Sequence, residues 1–103
     1  MFEKLAKENK DVKIYGVYTI KEGIEENRPM TVLATSEKEL NSIIHFWEGT
    51  KYGKGYKAVS HFRATKRNNP NLFKNYAYMD RLLSYNNQIN KLNEIEKEMK
   101  EEK

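Results

Sequence analysis

The chain has 103 residues, a net charge of +4, 38% hydrophobic and 33% charged side chains, and no cysteine. That length supports one domain, residues 1–103, with enough apolar surface for a thin core. The missing cysteines exclude disulfides, thiolate metal sites and thiol catalysis, and no apolar run approaches the roughly 18–20 residues of a membrane span.

The opening M-F-E-K-L-A-K-E-N-K has no apolar leader segment, so a cytoplasmic location is expected. Residues 2–10 place Phe2, Leu5 and Ala6 among charges and read as a frayed helical turn. Residues 12–20, V-K-I-Y-G-V-Y-T-I, are β-branched and aromatic with rough period-2 alternation, a first strand. Val12, Ile14, Tyr18 and Ile20 share one face of it, and Tyr15, Val17 and Thr19 the other. Gly16 in mid-strand marks a bulge or a close approach by another element. Residues 21–28 form a hairpin-type loop, and residues 29–35 a second strand with Pro29 at its start, where a missing N–H is tolerated.

Residues 36–49, S-E-K-E-L-N-S-I-I-H-F-W-E-G, carry the strongest local signal. Ser36 and Glu39 form a capping box. Leu40, Ile43, Ile44 and Trp47 make one apolar stripe, and Gly49 stands where a left-handed C-cap is cheapest. Leu40, Ile44 and Trp47 are expected to anchor this helix on the sheet. A Gly-punctuated loop, residues 50–55, leads to a third strand, residues 56–65. There Ala58, Ser60, Phe62 and Ala64 alternate with Lys57, Val59, His61 and Arg63. The second set is too polar for core and is expected to face solvent or a ligand.

Asn69-Pro70 reads as an N-cap followed by proline at the first helical position. A helix is expected from there almost to the end, continuous or interrupted near Asn86-Asn87. Its stripe begins with Leu72, Phe73, Tyr76 and Met79 or Leu83. It continues through Tyr85, Ile89, Leu92 and Met99, with Glu96 on the seam and Ile95 drifting off it. Residues 90–103 are expected to be a solvated tail that frays. Any homodimer is expected to form through this helix.

The order β-β-α-β-α defines an α+β domain with a three-stranded, mostly antiparallel sheet. Strand three lies beside strand one, order 2-1-3, or else parallel beside strand two. The helices cover one face and the other meets water.

Function is less legible. No catalytic residue, cofactor or metal site emerges: His45 and His61 lack partner ligands or a nucleophile at a useful spacing. K-Y-G-K-G-Y lacks the spacing and the following helix of a phosphate loop. The chain is therefore expected not to be an enzyme. The informative feature is charge. Gly49 to Met79 holds Lys51, Lys54, Lys57, Arg63, Lys66, Arg67 and Lys74 with no Asp or Glu, together with six aromatics. Cations neutralise phosphates and aromatic faces stack on unpaired bases. The expected nucleic-acid-binding residues are Lys51, Tyr52, Lys54, Tyr56, Lys57, His61, Arg63, Lys66 and Arg67, and the expected ligand is RNA or single-stranded DNA. The alternative is a protein-binding regulator that engages a protein of the nucleic-acid machinery. The Lys, Asn, Ile and Tyr bias and the small size match the style of phage and mobile-element inhibitors of host defence, anti-CRISPR proteins among them. A basic face argues against a DNA mimic.

Overall fold

The computed structural model describes Phe2 and residues 11–101. Of the frayed turn expected over residues 2–10, all but Phe2 lies outside them, as do residues 1, 102 and 103. The elements are β1 (Lys13–Lys21), β2 (Ile24–Glu25), β3 (Met30–Ala34), α1 (Glu37–Glu48), β4 (Tyr56–Arg63), α2 (Pro70–Asn75) and α3 (Tyr78–Glu101). The α+β class and the β-β-α-β-α order hold, with β2 and β3 as two pieces of one return strand.

β1 is the centre of the sheet. Its chain reverses through Glu22 and Gly23, both at positive φ, as a two-residue hairpin turn that suits the right-handed twist of the strands requires. β2 pairs Ile20 with Glu25; unbroken, that register would set Val17 against Arg28, but Val17 meets Met30. Two extra residues are looped out between β2 and β3, so the return strand starts at Ile24 rather than at Pro29. β4 lies on the other side of β1, antiparallel, Tyr15 opposite Arg63 and Lys21 opposite Tyr56. The expected order 2-1-3 is the one adopted.

α1 begins where Ser36 Oγ accepts the Glu39 N–H at 3.1 Å. The reciprocal half of the capping box is displaced by one residue: Glu39 Oε1 accepts the Thr35 N–H at 2.7 Å. Its other oxygen accepts the Tyr85 hydroxyl at 2.6 Å, tying α1 to α3. Leu40, Ile43 and Ile44 are buried, whereas Trp47 is only half-buried. Gly49 ends the helix at φ −85°, not in the left-handed region. The close approach falls instead at Gly53, where a Cβ would stand 2.9 Å from Trp47 Cδ2 and against the Trp47 carbonyl.

The core joins Ile14, Tyr15 and Val17 of β1, Val32 to Ala34 of β3, the α1 stripe, and Leu82, Tyr85, Ile89 and Leu92 of α3. Burying this apolar surface stabilises the fold by about 25 cal/mol per Å². The C-terminal helix breaks at Tyr76 and then runs unbroken through Asn86-Asn87. Its buried face is shifted from the expected stripe: Leu82 and Ile95 are buried, while Met79 and Leu83 are 67% and 63% exposed. Leu92 at 6% and Ile95 at 7% show the solvated tail starting later than residue 90. Tyr85, Ile89 and Leu92 of the stripe expected to mediate a homodimer pack in the chain's own core, while Met99 stays 38% exposed.

α3 also closes a sheet edge. Gln88 accepts the Leu33 N–H at 3.0 Å and donates to the Leu33 carbonyl at 2.7 Å, occupying both groups as a neighbouring strand would. Phe2 is held in a similar way by Asn93 and packs edge-on against Phe46, centroids 5.2 Å apart.

Candidate nucleic-acid interface

Strand β4 runs through the middle of the acid-free segment, and its geometry decides where each side chain goes. Tyr18 opposes Ser60 but Thr19 opposes Ala58, so Val59 is an extra residue, a β-bulge. A bulge exchanges the faces on either side of it, because side-chain direction alternates with period two. The expectation that Lys57, Val59, His61 and Arg63 share one open face is therefore corrected. His61 and Arg63 stand with Tyr15 and Val17, on the face that α1 covers; Lys57 stands with Ile20 on the opposite face.

On the α1 side the expected site residues are drawn into local contacts. His61 Nε2 lies 3.4 Å from Glu37 Oε1 and its ring meets Tyr15 edge-on, 6.3 Å between centroids. Burial raises the Tyr15 hydroxyl above the ordinary phenol range, with the Arg63 guanidinium opposing and Glu37 adding to the rise. Tyr56 is wedged between Trp47, 5.4 Å away, and the Lys21 ammonium, 4.9 Å from its centroid. Glu48 Oε2 accepts the Ala58 N–H at 2.8 Å, covering an outward backbone donor beside the bulge. Between α1 and β4 a groove of about 290 Å³ is lined by Asn41, His45, Glu48 and His61 among others.

Lys51 and Tyr52 sit in the turn after α1, away from β4. Lys51 pairs with Glu98 of α3 at 3.9 Å, and its ammonium lies 5.4 Å from the Tyr52 centroid. Tyr52 borders an apolar hollow with Trp47, Leu92 and Ile95. Lys54, Lys57, Arg63, Lys66 and Arg67 are exposed. Lys54, Lys57, Lys66 and Arg67 make no ion pair among the described residues.

The face opposite α1 holds what alternation could not sort. Ile14 and Leu33 are buried there, but further along Tyr18 is 36% exposed, with Thr31, Ser60 and Lys57 exposed around it. Phe62 opposes Gly16, and three of its ring atoms crowd the place of a Gly16 Cβ. The ring therefore lies down on the strand, and this is the close approach that Gly16 signalled. Tyr18 stands beside it, centroids 5.8 Å apart and planes inclined by 41°. Gly16 was the one sequence signal of this pair.

Among the described residues no group of three or more His, Asp or Glu is placed to hold a metal, and no helix is long and apolar enough to cross a membrane. Comparison with protein-family models, curated proteins and solved structures finds no match.

Proposed function

We propose that the chain is a small, non-enzymatic module that binds RNA or single-stranded DNA through β4 and the turns flanking it. The observation that carries this reading is the placement of Lys54, Lys57, Arg63, Lys66 and Arg67, all exposed, along one strand and its ends in a segment without an acid, Lys57 on one face of β4 and Arg63 on the other. Cations spaced along an extended strand suit a phosphate backbone, whose neutralisation releases counterions. Lys51, Tyr52, Tyr56 and His61 contribute less directly, since each already has a partner in the fold.

The test is a salt titration with labelled oligonucleotides. Affinity should fall linearly with salt on a log–log plot, by about −0.7 per phosphate contact on single strands. Lys57→Ala with Arg67→Ala should shallow that slope by about two contacts and weaken all sequences alike. Absence of binding to RNA and DNA at ~50 mM salt, where such contacts are strong, would overturn the reading. A protein-binding regulator is the second reading, favoured by the exposed apolar pair Met79 and Leu83 on the first turns of α3.

A further inference from the structure

We infer that the sheet face opposite α1 is a base-stacking platform, on which Phe62 and Tyr18 receive successive unpaired bases of a single strand. This rests on the nucleic-acid reading above and relocates the stacking from Tyr52 and Tyr56 to Phe62, one of the six aromatics of the acid-free segment, and Tyr18, which lies outside it.

Aromatic rings on a sheet serve stacking when they sit side by side and part of each is reachable from solvent; Phe62 is half-buried at the border of the core and Tyr18 is 36% exposed, their planes inclined by 41°. Phe62 lies flat because Gly16 offers no side chain beneath it. Replacing that hydrogen by a methyl group would tilt the ring or force it aside. Tyr18 is held 5.8 Å away on the neighbouring strand and keeps a third of its surface exposed. Tyr52 and Tyr56, by contrast, already have a cation on their rings, and Tyr56 has Trp47 beside it as well.

Charge places the strand. Lys57 shares this face at one end of β4, and Lys66 and Arg67 of the following turn lie beyond Phe62 at the other, while Arg63 stands on the α1 side. Lys57 and Phe62 are five residues apart, one of them bulged, which is about 13–16 Å of extended chain. Two bases fit on the rings while their phosphates run between the two groups of cations. Glu25, opposite Ile20, is an acid on this face. It lies at the hairpin end and biases the ligand toward Phe62 and the 63–67 turn. Stacking of this kind tolerates any base, so the platform prefers single strands to duplex without strong sequence choice.

The experiment compares wild type, Tyr18→Ala, Tyr18→Phe and Phe62→Leu by fluorescence anisotropy with labelled oligo-dT, oligo-U and a matched duplex, circular dichroism verifying the fold. Tyr18→Ala should weaken single-strand binding by about 5- to 150-fold with an unchanged salt slope, and Tyr18→Phe should bind as wild type. Phe62→Leu keeps the residue apolar where it meets the core and should still weaken binding at least several-fold. Cross-linking to a 5-iodouracil oligonucleotide should map to Tyr18 or Phe62. If wild type binds with the expected salt slope but Tyr18→Ala binds equally well, or cross-links fall on Tyr52 and Tyr56, the platform is refuted and the electrostatic reading stands. If wild type binds no oligonucleotide, both fall together. A protein captured instead, with capture lost in Tyr18→Ala, also overturns the assignment of this face to nucleic acid.

Discussion

Gln88 gives the sharpest test of how the sheet is finished. Its carboxamide lies on the outer edge of β3, where Leu33 would otherwise present an N–H and a carbonyl with no strand to meet them. Gln88→Ala deletes both bonds. Each contributes about 0.5–1.5 kcal/mol net, so the loss should be about 1–3 kcal/mol. The upper half of that range is expected, because Leu33 is only 4% exposed and water reaches its backbone poorly. Gln88→Glu separates the two bonds. A carboxylate still accepts the Leu33 N–H but meets the Leu33 carbonyl with no hydrogen to give, so at neutral pH it should destabilise at least as much. Protonation restores the donor, which raises the folded-state pKa of that glutamate. Stability is then fully present below the unfolded value of about 4.3 and is lost as pH rises through the folded one. Urea midpoints at two pH values, with hydrogen exchange at the Leu33 amide, measure each step. An unchanged midpoint and unchanged Leu33 protection in Gln88→Ala would show that the edge is held by something other than this side chain.

Tyr85 makes a pH prediction. Burial first, then its hydrogen bond to Glu39 and the charge of that carboxylate, raise its hydroxyl far above the ordinary phenol value. A raised pKa adds stability that is complete below about pH 10 and is lost above it. Tyr85→Phe should therefore flatten the alkaline limb of the unfolding profile, and parallel wild-type and mutant profiles would refute the coupling. Trp47→Ala should cost about 2 kcal/mol rather than the 3–5 kcal/mol of a fully buried ring, because Trp47 sits at the core's border against Tyr56 and Gly53; a thermal midpoint unchanged from wild type would mean that those contacts add nothing. Leu92→Glu should unfold the chain at any concentration, since Leu92 is core rather than a free seam. A folded Leu92→Glu monomer in sedimentation would contradict that packing.

Local sequence was enough for the elements whose causes are local. Ser36 and Glu39 start α1, and the 3–4 spacing of Leu40, Ile43 and Ile44 marks its buried face, because each of those interactions spans a single turn. Strand order was narrowed to two arrangements, since a helical crossover after a hairpin leaves the edge of β1 free, and the pairing of β4 with β1 selected 2-1-3. The site was legible only as a charge distribution. Which side of β4 each cation occupies depends on Val59, and a bulge exists only relative to the partner strand, so alternation along residues 56–63 put His61 and Arg63 with Lys57 when they stand on opposite faces.

The C-terminal helix shows the same division. Its 3–4 spacing reads through Met79 or Leu83, and the position of β3 selected Leu82 instead, with Gln88 turned to Leu33 across 55 residues of sequence. Trp47 and Gly49 repeat it on a smaller scale, for the turn through Thr50 and Gly53 set the exposure of one and made a left-handed cap unnecessary at the other. The capped helix, β1, β3, β4 and the acid-free segment were readable along the chain, because propensity, periodicity and charge act between near neighbours; β2 was not, since two residues pairing with Ile20 and Lys21 leave no local pattern. Tertiary structure alone decided the bulge, the sealed β3 edge and the Tyr18–Phe62 pair, because each depends on a contact between residues far apart in the chain, which no local pattern encodes.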